Sequence, residues 1–331
     1  MPSSLILTVT IVVVAMIFDT INGFHDSANA IACVVSTRVM TMREAVVMSA
    51  SLNFAGAFMS VKVAQTVGNG IVNPNDITQI VIIAALLGAI IWNLITWYFG
   101  IPSSSSHALI GGLVGSAIVY KSSFLIVNWS GLFWKVILWL ILSPLIGFIA
   151  GFAFMSFMNM ILRNTRPHTV TKIFSKAQIF SAMLIALNHG GNDAQKTMGI
   201  ITMTLVSAGF LHEFSVPLWV KICCALSMAL GTSLGGKKII KTMGSKMARM
   251  TPVNGFSAEM GASAVIFTAT MFDAPVSTTH IITTSIMGVA SAKRFSAVRW
   301  AVAKDIVVTW IFTIPSCAVI SGILMFLLSL V

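Results

Sequence analysis

Two kinds of polar run recur in this chain in forms that suit the binding of charged ligands. "NGFHDSAN" (Asn22 to Asn29) and "HGGNDAQK" (His189 to Lys196) each hold glycine, a carboxamide and an aspartate, and Asp193 lies 167 residues after Asp26. Carboxylate oxygens with the neutral amides of Asn22, Asn29, Asn188 and Asn192 suit a hard cation such as sodium; protonated carboxylates suit proton coupling. Gly23, Gly190 and Gly191 are expected to let the helix unwind there and expose backbone groups. "PSSSSH" (Pro102 to His107) and "PVSTTH" (Pro275 to His280) read differently: proline followed by hydroxyl residues is the start of a helix. Free N–H groups and the positive dipole end make such a start an anion site, and two facing each other would cradle a tetrahedral oxyanion. His107 and His280 are expected to be structural, each donating to a carbonyl.

Composition sets the solvent in which these groups work. Of 331 residues, 57% are hydrophobic and 9% charged, which places the chain in a bilayer. Apolar stretches at 5–22, 44–61, 79–99, 131–161, 215–236, 256–273 and 300–330 are long enough to cross ~30 Å of hydrocarbon and leave no room for a soluble domain. The first has neither a basic leader nor a small-residue cleavage site, so it reads as a retained span. Cys33, Cys223, Cys224 and Cys317 sit in apolar segments without CxxC spacing and read as small buried hydrophobes. The net charge of +11 is gathered in loops, as on the cytoplasmic face of a membrane protein, so nucleic acid is not an expected partner.

The chain repeats itself. "GAIIWNLITWYFGIPSSSSHALIGGLVGSA" from Gly88 aligns without a gap on "GASAVIFTATMFDAPVSTTHIITTSIMGVA" from Gly261, 173 residues on. The loop after the first aspartate run carries Arg38 and Arg43, whereas its counterpart "VSAGFLHEFSVP" has no Lys or Arg. Later the bias reverses: the loop at 62–78 has Lys62 alone, and its counterpart holds Lys237, Lys238, Lys241, Lys246 and Arg249. Equivalent loops therefore face opposite sides, which is an inverted-topology repeat, the architecture of secondary transporters. The expectation is an all-α polytopic membrane protein with about 10–12 transmembrane segments and interrupted or re-entrant helices at the midplane. Its parts are a first repeat at 1–120, a connecting membrane segment and basic loop at 121–176, and a second repeat at 177–331, with both termini outside the cytoplasmic membrane. The ionised aspartates near mid-bilayer would cost ~2.5–3.5 kcal/mol each without a partner or a wet cavity.

The aspartate and hydroxyl runs, with "NGFSAEMGAS" at 254–263, resemble the duplicated signature of the PiT inorganic phosphate transporter family, over nearly the whole chain. The resemblance implies a symporter that imports phosphate with sodium or protons by alternating access, works without a cofactor, and forms a homodimer. Carried onto this sequence, it implies phosphate binding by Asp26, Asn29, Ser104, Ser105, Ser106, Asp193, Ser277, Thr278 and Thr279. The residue types place cation coupling, sodium being a candidate, at Asn22, Asp26, Asn188, Asn192 and Asp193, and the resemblance adds Glu259 as a functionally implicated acid. The chain departs from the family pattern at His25, Gln195 and Lys196, and Leu86 stands opposite Glu259, so that acid is not duplicated. Lys196 has two readings, a cation beside the anion or a side chain snorkelling to an interface.

Sulfate is the first alternative substrate, because the resemblance includes sulfate carriers. Phosphate keeps a proton near neutral pH and can donate to a carboxylate, whereas sulfate cannot, and the paired aspartates favour phosphate. A passive channel would need a continuous polar lining. An intramembrane enzyme would need a nucleophile or metal set, and His189 with Asp193 at i, i+4 comes without an HExxH signature, so no enzyme activity is expected.

Overall fold

The computed structural model describes residues 2–330; Met1 and Val331, the outer ends of the two expected repeats, lie outside the described residues. Apart from an isolated bridge between Val72 and Val127, its regular structure is helical. The first half holds α1 (Pro2–Ser36), α2 (Met42–Gly56), α3 (Lys62–Asn69), α4 (Gln79–Phe99) and α5 (Ser105–Lys121). A short α6 (Trp129–Leu132) continues through a wide π turn into α7 (Leu138–Ile161). The second half holds α8 (Pro167–Ser207), α9 (Leu218–Leu234), α10 (Lys237–Lys241), α11 (Pro252–Met271), α12 (Thr278–Ser291) and α13 (Trp300–Leu328).

Among the described residues five segments are long and apolar enough to cross a membrane: Leu5–Ser36, Gln79–Phe99, Trp129–Ile161, Pro167–Ser207 and Trp300–Leu328. A sixth is formed by α9 and the segment Lys237–Gly244, bent by 63° at Gly235 and Gly236. The more polar or shorter α2, α5, α11 and α12 are packed among these.

The halves correspond helix for helix and interlock. α5 packs on α13 and its counterpart α12 on α7; α1 packs on α9 and its counterpart α8 on α2. α4 turns back through Gly100 into α5, and α11 turns back through Asp273 into α12; both turn residues are left-handed, at φ 69° and φ 59°. Glycine takes that conformation freely and aspartate is among the few other residues that tolerate it. Thr66 of α3 donates to Asp273 O at 2.9 Å, and Thr242, just beyond α10, donates to Gly100 O at 3.0 Å. Each hairpin tip is thus latched by the other half's counterpart of the same short helix. A further duplicated device is a 3-10 turn closed by a tryptophan: Trp129 Nε1 donates to Phe124 O at 2.8 Å and Trp300 Nε1 to Phe295 O at 3.0 Å.

The breaks fall at the hydroxyl runs but not at the aspartate runs. α1 and α8 pass through 22–29 and 188–199 without interruption, so the expected unwinding at Gly23, Gly190 and Gly191 is corrected. The glycines let helices touch instead. A Cβ on Gly23 would lie 2.5 Å from Met228 O and 2.9 Å from Gly231 Cα, and one on Gly190 would lie 2.3 Å from Asn53 O. Close backbone approach, and not φ freedom, is what glycine supplies on these helices.

Candidate functional site

Ser104 and Ser277 cap α5 and α12, accepting from His107 N at 3.3 Å and His280 N at 3.2 Å. Their hydroxyls are spent on the helix starts, and they hold Ser105, Ser106, Thr278 and Thr279 in the first turns, where amides have no carbonyl four residues back. The two helix starts face each other: Ser106 Oγ reaches Val276 O at 3.5 Å, and the rings of His107 and His280 lie 5.0 Å apart.

Between the starts run α1 and α8, each presenting its aspartate. Ser105 donates to Asp26 Oδ2 at 2.6 Å, and its counterpart Thr278 donates to Asp193 Oδ2 at 2.9 Å. One turn after each aspartate a donor crosses to the other half. Asn29 Nδ2 donates to Thr279 Oγ1 at 2.9 Å and Thr278 Oγ1 at 3.2 Å, while Lys196 Nζ donates across to Ser106 Oγ and, within its own half, to Val276 O. Lys196 also pairs with Asp193 on its own helix, and Thr279 closes the ring on Asp26 Oδ1 at 3.3 Å. Lys196 is 2% exposed and bonded to Ser106 and Asp193, so the snorkelling alternative is set aside. Asp26, Asn29, Ser105, Ser106, Asp193, Lys196, Thr278 and Thr279 thus form one buried knot to which both halves contribute.

Two histidines steady the carboxylates. His25 Nδ1 meets Asp26 Oδ1 at 2.7 Å, with its Nε2 3.1 Å from Thr96 Oγ1. His189 Nε2 lies 3.1 Å from Asp193 Oδ2, and its Nδ1 is 3.2 Å from Asn53 Oδ1. Asp26, His189 and Asp193 bring one ligand atom each within 4.8 Å of the others, a set able to hold a metal ion. Two carboxylates against one ammonium make the knot rich in acceptors.

The other residues expected to couple a cation are dispersed. Asn22 lies one turn before Asp26 with its carboxamide against Asp19. Asn188 donates to Ser263 O at 3.3 Å and Asn192 to Thr270 Oγ1 at 2.9 Å, both on α11. Glu259 accepts from Ser181 at 2.6 Å, twelve residues or about 18 Å along α8 from Asp193. It belongs to a separate buried polar group.

The site also holds side chains to which sequence reasoning gave no role. Gln195 Oε1 accepts from Val63 N at 2.9 Å and fixes the start of α3 to α8, which accounts for one departure from the family pattern. Asn53, buried on α2, joins His189 to Thr232. Contrary to expectation, neither nitrogen of His280 and not Nδ1 of His107 has a hydrogen-bond partner. His280 instead stacks on Trp310 at 3.8 Å, and Trp310 donates to Pro102 O, so π contact and not carbonyl bonding positions it.

Comparison with known proteins meets this geometry from the outside. The model of the Phosphate transporter family matches residues 22–321, which include both aspartate runs and both helix starts. The chain belongs to that family. A probable low-affinity inorganic phosphate transporter of Bacillus subtilis is 48% identical across 99% of this chain and 98% of its own length. One of Rhizobium meliloti is 49% identical across 98% and 97%. A solved structure described as the sodium-dependent phosphate transporter superposes with a TM-score of 0.85 at 24% identity, covering 97% of this chain and 100% of that one, so the fold is shared.

Proposed function

We propose that this protein is a secondary transporter that imports inorganic phosphate across the cytoplasmic membrane with sodium or protons, by alternating access at a site fixed between its two halves. The observation that carries the reading is the knot: two helix starts facing each other, with the carboxylates, the ammonium and the hydroxyls of both halves converging between them. Phosphate would take over the bonds now made within the knot. Its oxygens accept from Ser105, Ser106, Thr278, Thr279, Asn29, Lys196 and the first-turn amides, and its own proton donates to Asp26 or Asp193. Ser104 and Ser277 contribute as caps, by keeping the two starts in shape.

Cations at the acceptor-rich aspartates offset their charge before the anion docks, which makes loading cooperative. Of the residues expected to couple, Asp26 and Asp193 do this directly; Asn22 and Asn192 lie within the two runs, Asn188 borders the second, and Glu259 acts from its own polar group. α1 with α9 and α2 with α8 are glycine-tight pairs suited to moving as units, while the hairpins carry the helix starts. The operating units are taken as 1–120 and 177–331, joined by 121–176. The chain is taken to work as a homodimer with both termini outside the cell. The test is uptake of radiolabelled phosphate by proteoliposomes under an imposed sodium or proton gradient, with sulfate as competitor. Accumulation resistant to sulfate is expected; inhibition by equimolar sulfate would replace phosphate with sulfate as the substrate.

A further inference from the structure

Two turns before Asp26, α1 carries a second aspartate that the knot does not use. Asp19 is fully buried inside the candidate span Leu5–Ser36, about 10 Å along the helix from Asp26. Its Oδ1 accepts from Thr197 Oγ1 at 2.9 Å, and its Oδ2 has no hydrogen-bond partner. The Asn22 carboxamide lies against it, and Asn22 Oδ1 is likewise unpartnered and buried. α1 and α4 run side by side in a parallel register, Gln79 bonding Thr8 and Thr96 meeting His25 at the same separation of 71 residues. That register puts Asn93 level with Asn22, and neither atom of the buried Asn93 carboxamide has a partner. Asp19 Oδ2 and Asn22 Oδ1 are thus left without a donor, beside the oxygen of the Thr197 hydroxyl that donates to Asp19 Oδ1.

We propose that Asp19, Asn22 and Thr197 form a binding site for one sodium-class monovalent cation, distinct from the oxyanion site. Three oxygen ligands, one of them on a carboxylate, suit a hard cation. The site is present once. At the repeat offset of 167, Asp19 falls opposite Ala186 and Thr197 opposite Ala30, and Asp19 lies outside the residues that the family model matches. Its placement gives it a direct link to the knot. Thr197 follows Lys196 on α8, and Asn22 sits one turn from Asp26 on α1, so an ion between them ties together the two helices that hold the oxyanion groups.

The inference rests on the transport reading, and its test separates the two. The full-length protein in detergent is heated in sodium chloride and in choline chloride, without phosphate. Sodium is expected to raise the midpoint of the wild type, and Asp19→Asn and Thr197→Val are each expected to lose most of that shift; a full sodium shift in both variants would overturn the site. In proteoliposomes, Asp19→Asn is expected to need at least tenfold more sodium for half-maximal uptake and to lose one cation per phosphate in the reversal potential. Phosphate half-saturation at saturating sodium should stay within threefold. Unchanged stoichiometry, or loss of dependence on protons in place of sodium, would refute the assignment. A wild type that is stabilised by sodium and carries no phosphate would keep this site and refute the transport reading instead.

Discussion

Replacing Lys196 by methionine tests whether the ammonium serves the anion or only the fold. Methionine keeps the length and removes the charge, leaving Asp193 Oδ1, Ser106 Oγ and Val276 O without their donor. An isolated partner of a buried ion pair costs about 3–5 kcal/mol, so Lys196→Met should be clearly destabilised. Asp193 keeps Thr278 and His189, which puts the expectation at the lower end. Phosphate would lose one charge-assisted bond of about 1.5–3 kcal/mol, a weakening of roughly 10- to 150-fold in half-saturation. The double variant Lys196→Met with Asp193→Asn restores neutrality and should recover most of the stability. It should not recover uptake. The assay is a double-mutant cycle on the thermal midpoint, run beside phosphate uptake at fixed cation concentration. If Lys196→Met keeps its half-saturation within threefold, or if the two changes add independently in stability, Lys196 is not the anion's counter-charge and the knot has been misread.

Asp26→Asn should abolish coupled uptake while the protein still reaches the membrane, because the amide keeps the Ser105 geometry and removes the charge; surface expression and uptake measured together decide it. Glu259→Gln retains an oxygen for Ser181, so its thermal midpoint should move by the equivalent of about 1 kcal/mol or less while uptake falls; unchanged uptake would remove Glu259 from the coupling path. Gly23→Ala drives a methyl into Met228 O and should cost about 1–3 kcal/mol, read in the same melt. Gly191→Ala, whose nearest neighbour would be Gly56 O at 3.2 Å, should cost less.

What could be read from the sequence was what the repeat prints twice. Asp26 with Asp193, and Ser105 and Ser106 with Thr278 and Thr279, stand at constant offsets in apolar surroundings, and the structure brings them together. The helix breaks were legible for the same reason, since proline and hydroxyl residues have a mechanical meaning at a helix start. The glycines were not. Permission to unwind and permission to approach are the same letter in sequence, and only the backbone of α9 against Gly23, or of α2 against Gly190, shows which is used. Gln195 was opaque in another way, because its work is done on the amides of a helix 131 and 132 residues earlier.

Asp19 escaped because searching for pairs hides whatever the halves do not share. That blind spot bears on mechanism. A strictly symmetric site would bind ions equally in both halves, and inversion would exchange like for like. Here Asn29 faces Lys196, Asp19 faces Ala186 and Glu259 faces Leu86, so both buried acids outside the knot have an apolar opposite and the one cation in the knot stands opposite an amide. The scaffold's symmetry provides two related conformations; the unpaired residues make them unequal in charge. A cation that prefers one of two unequal states shifts their balance, and a symmetric site would give it nothing to prefer.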